Sequence, residues 1–378
     1  MFFVWVLLLL VFAVWYLSRS LHRKLNVLLP RVPYVATLGV IVLCVLIMLS
    51  SFFRSALPFA WMKSAAGVAS AYLMGFFLYL LIFTLLIDLV LFILGKCKLS
   101  VVKTRAFLGG ALAAILVLSG SVTTYGLVHF NDIKHVSYEI TVERKTDVSD
   151  LNIVLISDLH LGAVGSEERL SMIVDEINAQ SPDVVCIAGD FFDTDFSAIR
   201  EPEKAIETMR GIRSTYGVYA CLGNHDAGKT VTDMIDFLAR ANVCLLNEAY
   251  TVIDERLILV GRLDRSPIGG FDALRRGEIA DILTNVDENL PVIVMDHNPK
   301  NIASYGSGVD LILSGHTHKG QLFPGSLLTG LLYEVDHGYY RNEETGVQVI
   351  VTSGIGGWGV PMRVGTDSEL ISITVKSR

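Results

Sequence analysis

Positive charge is in short supply in this sequence of 378 residues. Its 31 Lys and Arg residues are outnumbered by 38 Asp and Glu residues, which gives a formal net charge of −7 at pH 7. Proteins that bind nucleic acid by charge need a basic face, so no nucleic-acid partner is expected. The balance does not exclude an enzyme whose bound divalent ions supply local positive charge.

Paired cysteines are also missing. The sequence has five cysteines but no CxxC motif and no spacing typical of a disulfide framework. Cys186 and Cys221 fall within short apolar runs that predict buried strands, where free cysteine behaves as a small apolar residue. The sequence therefore predicts core cysteines rather than a redox or disulfide-stabilised fold.

The chain as a whole is 52% hydrophobic, and the excess of apolar residues lies in residues 1–130, which contain few charges. A helix needs about 20 apolar residues to cross a bilayer, and this region has four apolar segments: 1–17, 34–53, 67–94 and 106–128. The first could instead be a cleaved signal peptide, but it lacks a basic start and a small-residue cleavage site before Arg19. We expect an N-terminal bundle of about four transmembrane helices, with the bilayer as a partner.

Basic residues in the loops predict the orientation of this bundle. Those between the first two and the last two segments are Arg19, Arg23, Lys24, Arg31, Lys96, Lys98, Lys103 and Arg105. The middle loop has only Arg54 and Lys63. By the positive-inside rule, we expect the C-terminal region to be extracytoplasmic. Asp88 lies inside the third segment, near its cytoplasmic end, and we expect it to snorkel or to pair with Lys96 or Arg105 rather than to have a function of its own.

The pattern changes to alternating strands and helices from about Ser137. Short apolar runs predict strands at 152–157, 183–188, 217–222, 257–260, 291–295, 309–313, 347–352 and 370–375. Such alternation indicates an α/β domain with two β-rich layers between helices. We predict three regions: transmembrane helices at 1–130, a linker with a first strand at 131–150, and a catalytic domain at 151–378.

Polar motifs follow five of these runs. They are Asp158-Leu159-His160, Gly189-Asp190, Gly223-Asn224-His225-Asp226, Asp296-His297-Asn298 and Gly315-His316-Thr317-His318. Each alone could be a turn, but all five at strand ends, where α/β sheets place their ligand sites, favour a two-metal hydrolase. Asp190 is the natural bridging carboxylate and Asn224 a neutral oxygen ligand. The histidines suit Mn, Fe, Zn or Ni.

The blocks ISDLHLG, IAGDFFD, LGNHD, MDHNP and LSGHTHKGQ resemble those of the calcineurin-like metallophosphoesterases. The resemblance implies a four-layer α/β/β/α sandwich and a metal-bridging hydroxide as nucleophile. The ligands that it implies for the first ion are Asp158, His160 and His318. Those for the second are Asn224, His297 and His316, with Asp190 bridging both. It also implies that His225 contacts the scissile phosphate and protonates the leaving group, with Asp226 orienting it.

The C-terminal stretch resembles the bacterial membrane-associated branch of this family, through Gly338-Tyr339-Tyr340, the Gly-rich run 352–359 and Pro361-Met362-Arg363. Trp358 and Arg363 on this stretch could contact substrate or only pack. Asp193 and Asp195 are expected to be solvated loop residues, and His337 a bystander that could line the pocket. Arg262 and Asp264 follow a strand and could approach the metals.

The sequence thus predicts a membrane-anchored phosphoesterase with two divalent ions. It would hydrolyse a phosphomonoester, phosphodiester or pyrophosphate, and a site tethered beside a bilayer suggests a lipid-linked or cell-envelope substrate. One alternative is a cytoplasm-facing pyrophosphatase of a nucleotide-linked lipid. Another is a membrane sensor with a catalytically silent domain.

Overall fold

The computed structural model describes residues 2–50, 57–144, 151–284, 286–300, 302–306 and 308–377. The chain divides into two compact units, Met1–Leu127 and Val128–Arg378. The last three residues of the predicted apolar segment 34–53, and residues 145–150 of the predicted linker, lie outside the described residues.

The first unit is helical. Its helices are α1 (Phe2–Leu28), α2 (Tyr34–Leu49), α3 (Ala60–Lys96) and α4 (Arg105–His129), which runs into the second unit. In the described part of the chain, Ala65–Lys96 and Arg105–His129 are long and apolar enough to cross a membrane, and Tyr34–Leu49 is a shorter apolar helix. The four-span bundle therefore stays a prediction.

Asp88, on α3, pairs with residues of α1. Its Oδ1 lies 2.5 Å from Nζ of the fully buried Lys24, and Tyr16 donates its hydroxyl to Oδ2 at 2.8 Å. The expected pairing with Lys96 or Arg105 is wrong. Eight residues of helix place Lys96 about 12 Å further along α3, and Arg105 donates to the carbonyl of Leu28 instead.

The second unit contains twelve strands and five helices among the described residues. The strands are β1 (Ile133–Val142), β2 (Leu151–Ile156), β3 (Val184–Ala188), β4 (Val218–Cys221), β5 (Val243–Leu245), β6 (Ala249–Ile253), β7 (Leu257–Gly261), β8 (Val292–Met295), β9 (Leu311–Ser314), β10 (Gly338–Arg341), β11 (Gln348–Val351) and β12 (Ser368–Ser377). The helices are α5 (Ser166–Ala179), α6 (Pro202–Arg210), α7 (Val231–Arg240), α8 (Ile279–Ile282) and α9 (Gly325–Leu332).

These strands form two six-stranded sheets, in the orders β1-β12-β2-β3-β4-β5 and β10-β11-β9-β8-β7-β6. Strands β2 to β5 run parallel to one another, as do β7, β8, β9 and β11. Leu155 pairs with Cys186 in the first sheet, and Val294 pairs with Ile312 in the second. The parallel strands are apolar on both faces because each sheet is covered on both sides.

Three apolar layers hold this unit together. Leu155, Cys186 and Leu313 belong to the core between the sheets. On the outer face of the first sheet, α5, α6 and α7 contribute side chains such as Phe237. The outer face of the second sheet is covered by short elements, including Tyr305 and the four-residue α8. The predicted mixed α/β fold with two sheets is confirmed, with an outer layer on the second sheet thinner than a full layer of helices.

The parallel strands explain where the polar motifs lie. The carboxyl ends of β2, β3 and β4 meet along one edge of the first sheet, and those of β8 and β9 meet along one edge of the second. The first predicted ligand of each motif lies two or three residues after one of these ends. Since the sheets pack face to face, the two edges together form one cleft.

Candidate metal centre

One group of side chains comes from the ends of β2 and β9. His318 Nε2 lies 3.3 Å from Asp158 Oδ1 and 3.2 Å from His160 Nε2. All three side chains are buried or nearly so. Their ligand atoms lie within 4.8 Å of one another, close enough to hold one metal ion.

A second group comes from the ends of β3, β4, β8 and β9. His297 Nε2 lies 3.1 Å from Asp190 Oδ2, and Asp190, His297 and His316 form another potential metal cluster. The side-chain oxygen of Asn224 lies 2.7 Å from His316 Nδ1. Asp190 also reaches the first group, since its Oδ2 is 3.8 Å from His160 Nε2. All seven predicted ligands therefore meet in one place, with Asp190 between the two groups.

The turns that carry these ligands have unusual backbones. Asp158, His160, Asp190, His316 and His318 all have φ between 48° and 71°, a region that non-glycine residues seldom occupy. Such a turn directs each side chain into the cleft immediately after its strand ends. Irregular backbone of this kind is concentrated at functional sites.

Two glycines allow the strand ends to approach closely. A Cβ atom at Gly223 would overlap the Asp190 carboxylate, and one at Gly315 would overlap Ser157 and the Asp158 carboxylate. Both positions therefore require glycine, because any side chain would push a carboxylate away from the cluster.

The donor set fits divalent metal ions. His297 Nδ1 lies 2.7 Å from the Ala188 carbonyl, which directs Nε2 toward Asp190, and metal-binding histidines are held in this way. Two buried ring nitrogens in the cluster lack a hydrogen-bond partner: His160 Nδ1 and His318 Nδ1. Imidazole nitrogens with two carboxylates and an amide oxygen suit first-row transition metals.

The electrostatics of the cleft favour a cation. Burial works against charge on the His297 ring, but Asp190 and Asp158 outweigh it and raise the pKa of His297 well above its usual range. Burial lowers the pKa of His316 to about 3 and that of His318 well below its ordinary value. The last two rings are therefore neutral at pH 7 and offer lone pairs. Burial works against charge on Asp190, but His297 outweighs it and holds the pKa of this carboxyl below its usual range.

Residues 151–320 match the family model for calcineurin-like phosphoesterases. The match identifies these residues as a calcineurin-like phosphoesterase domain.

Curated relatives agree with this assignment. The chain is 33% identical over 253 residues to a metallophosphoesterase of Campylobacter jejuni, an alignment that covers 65% of this chain and 64% of that one. It is 32% identical over 279 residues to a transmembrane protein with metallophosphoesterase domain of Danio rerio, covering 69% and 62%. The alignment with a Helicobacter pylori metallophosphoesterase, 33% identical, covers 58% of each chain. The chain thus matches about three-fifths of the length of these relatives.

Solved structures match at low similarity. The protein TT1561 of Thermus thermophilus aligns with 55% of this chain and 92% of its own, at 13% identity and a TM-score of 0.38. The evidence for the fold of this domain is therefore its own two six-stranded sheets.

His225 lies beside the metal ligands, but its partner differs from the one we predicted. Its ring is 5.0 Å from that of His160, and its Nδ1 is 2.5 Å from the hydroxyl of Thr194. The Asp226 carboxylate instead accepts backbone N–H groups from Gly223 at 2.8 Å and Phe192 at 3.0 Å. The tight turn directs Asp226 back toward Gly223, and the side chain that contacts His225 Nδ1 is that of Thr194.

Asp193 is another residue whose environment differs from the prediction. We expected it to be solvated, but its Oδ1 lies 3.6 Å from His160 Nδ1. His160, Asp193 and His225 also form a potential metal cluster. Asp195 caps the short 3-10 helix that begins at Phe196. The sequence signal for Asp193 was only its place three residues after Asp190.

The remaining candidates have different surroundings. Arg363 is fully buried and donates to the carbonyls of Ser353, Gly354 and Gly356 at 2.6–3.0 Å, which assigns it to packing. Trp358 is exposed, with its ring 6.4 Å from that of His225.

Three further candidate residues are Arg262, Asp264 and His337. Arg262 is bound to Glu248 at 3.0 Å, whereas Asp264 is buried and burial raises its pKa. His337 pairs with Glu369 at 3.0 Å. The charges of His297 and Asp190 also act on the pKa of Asp264, which links this residue electrostatically to the metal cluster.

Proposed function

We propose that this protein is a membrane-anchored phosphoesterase that uses two divalent metal ions. The observation that carries the proposal is the convergence of seven ligand side chains from two sheets on one cleft, with His225 beside them. Asp158, His160 and His318 would hold one ion. Asn224, His297 and His316 would hold the other, with Asp190 shared between them.

Two bound divalent ions would neutralise charge on the phosphate and lower the pKa of a bound water, so that hydroxide is available as the nucleophile at neutral pH. The chain's own residues would then handle the leaving group. Burial lowers the pKa of His225, so its ring is neutral at pH 7. When the Thr194 hydroxyl donates to Nδ1, the ring carries its proton on Nε2. This tautomer can donate to the departing oxygen.

A direct test is to strip the purified full-length protein with a chelator and then restore Mn²⁺, Zn²⁺, Fe²⁺ or Ni²⁺ one at a time. We expect hydrolysis of p-nitrophenyl phosphate or bis-p-nitrophenyl phosphate to be lost and regained. The His225→Asn variant should bind metal but turn over at least about 100-fold more slowly. Asp175→Asn, an exposed acid on α5, is the matched control. Hydrolysis that survives both chelation and His225→Asn would contradict the proposal.

The membrane anchor is supported by α3 and α4, whose length and composition suit a bilayer. It is also supported by the name of the Danio rerio relative, a transmembrane protein with metallophosphoesterase domain. Three residues of chain separate α4 from β1, so the tether is short. A lipid-linked phosphate is the substrate class that suits such a short tether.

We further propose that the catalytic domain is extracytoplasmic, as the basic loops indicate. Two natural cysteines can test this, since Cys97 at the end of α3 and Cys244 on β5 are both exposed. In single-cysteine variants, a membrane-impermeant maleimide added to intact cells should label Cys244 and spare Cys97. The reverse pattern would favour a cytoplasm-facing pyrophosphatase.

A further inference from the structure

We propose that α9 and its neighbours form an apolar surface that inserts into the lipid layer and holds a lipid-borne phosphate at the metal centre. The inference rests on the proposed function and names the docking element for its substrate. We call the surface the leucine rim and define it by Phe323, Leu327, Leu328, Leu331 and Leu332.

The leucine rim is exposed to a degree unusual for apolar side chains. The exposed fractions of Leu327, Leu328, Leu331 and Leu332 are 60%, 63%, 83% and 72%, and that of Phe323 is 48%. Among the described residues of α9, none is buried. Single exposed leucines need no explanation, but a contiguous group marks an interaction surface.

The leucines share one side of α9. Leu327 and Leu331, like Leu328 and Leu332, are four residues apart and therefore lie one above the other on the helix. The small residues make contacts inside the unit. Gly325 approaches Gly320 too closely to allow a side chain, and Thr329 donates to Asp336 at 2.8 Å. These contacts attach α9 to the domain while its leucines remain exposed.

The leucine rim is next to the metal cluster. It begins just after His318 in the sequence, and the ring of Tyr333 at the end of α9 lies 6.0 Å from that of His316. Gln321 accepts the Trp358 backbone N–H at 2.9 Å and donates to its carbonyl at 3.0 Å. Trp358, which is 56% exposed, therefore lies between the segment that leads into the rim and His225.

The chemistry of the surface fits hydrocarbon. From Gln321 to Tyr333 the sequence contains no charged residue, and a helix of eight residues is about 12 Å long. Interfacial helices bury apolar faces about 5–10 Å into the lipid boundary, with tryptophan at the headgroup level. Because the chain also carries helices suited to spanning a membrane, a bilayer is the apolar phase that this surface meets.

The test compares two substrates with the full-length protein reconstituted in phosphatidylcholine vesicles. One is phosphatidic acid in the same vesicles and the other is soluble p-nitrophenyl phosphate. Changing Leu327, Leu328, Leu331 and Leu332 together to Gln should lower the ratio of lipid to soluble turnover by at least about tenfold. Changing the same four to Met should restore it. Val252→Gln, at an exposed apolar position on β6, is the matched control and should keep the ratio of the unchanged protein.

A second readout does not depend on activity. A polarity-sensitive fluorophore on Leu331→Cys, in a background without other exposed cysteines, should shift to the blue in vesicles and be quenched by spin-labelled acyl chains. The same fluorophore on Val252→Cys should do neither.

The outcomes separate this inference from the proposed function. If the unchanged protein hydrolyses neither substrate, the proposed function fails. If it hydrolyses both, the four Gln substitutions leave the ratio unchanged and the fluorophore stays in water, only the docking role of the leucine rim is overturned. Shielding of the fluorophore in lipid-free detergent that rises with protein concentration would also overturn it, because it would indicate a second copy as the partner.

Discussion

Buried charge is handled in opposite ways in the two units. In the helical unit, Lys24 and Asp88 lie 2.5 Å apart and satisfy each other. In the second unit, Asp158 and Asp190 share a cleft with four histidines, His160, His297, His316 and His318, and the Nδ1 atoms of His160 and His318 have no hydrogen-bond partner. The buried Asp88 carboxylate is neutralised by a lysine within the fold, whereas carboxylates grouped with several histidines form a donor set that can hold a metal ion. The difference distinguishes a structural charge pair from a group of candidate metal ligands.

The strongest way to break this comparison is to remove the shared carboxylate. Asp190→Asn should reduce phosphoesterase turnover at least about 100-fold, because even outer-shell partners of a metal contribute about 10- to 100-fold. Metal content per chain, measured by mass spectrometry, should fall with it, whereas Asp175→Asn should keep both. Full metal content and turnover in Asp190→Asn would show that Asp190 is not a ligand.

The matching change in the helical unit is Asp88→Asn. Removing one partner of a buried pair costs about 3–5 kcal/mol, so we expect the helical unit to unfold earlier in a detergent titration. The double variant Lys24→Met with Asp88→Leu should recover most of that loss, because it removes both charges. If the double variant is no more stable than Asp88→Asn, the pair has a role beyond mutual neutralisation.

Removal of bound metal by a chelator should lower the thermal stability of the second unit and leave that of the helical unit unchanged. An ion present at about 100 times its dissociation constant stabilises the folded state by about 2.7 kcal/mol. Metal removal should therefore lower the Tm of the catalytic unit in calorimetry and leave the transition of the helical unit in place. An equal shift of both transitions would argue against a site confined to the cleft, and Asp190→Asn protein should show little shift.

The smallest expected effect concerns the residue that positions His225. Thr194→Val keeps the shape of the side chain but removes the hydroxyl beside Nδ1, and we expect kcat to fall about tenfold with KM little changed. Thr194→Ser should restore kcat. A Ser variant as slow as the Val variant would indicate that packing, rather than the hydrogen bond, holds the ring.

The sequence was informative where function depends on local pattern. Asp158, Asp190 and His297 each follow a short apolar strand by two residues, and parallel strand ends meet by geometry. The sequence could not indicate that Asp226 bonds to the turn, because that depends on the path of the backbone from Gly223. Thr194 was missed because it lies in a loop, with φ of 72° and no periodicity.

Asp88 illustrates a second limit. Its partner Lys24 is 64 residues away in the chain, and only the packing of α1 against α3 makes them neighbours. The thin layer outside the second sheet could likewise not be predicted from the sequence. Loops and the short α8 cover that face of the sheet, and their position depends on tertiary packing rather than on helical periodicity.

The division of ligands between the sheets has a consequence for biosynthesis. Asp158, Asp190 and Asn224 come from the first sheet, and His297 and His316 come from the second. A nascent chain that has made only β1 to β5 therefore has no complete coordination sphere to offer. Binding of the two proposed ions must wait until β9 has left the ribosome and docked, so the compartment in which folding finishes determines which ions compete for the site.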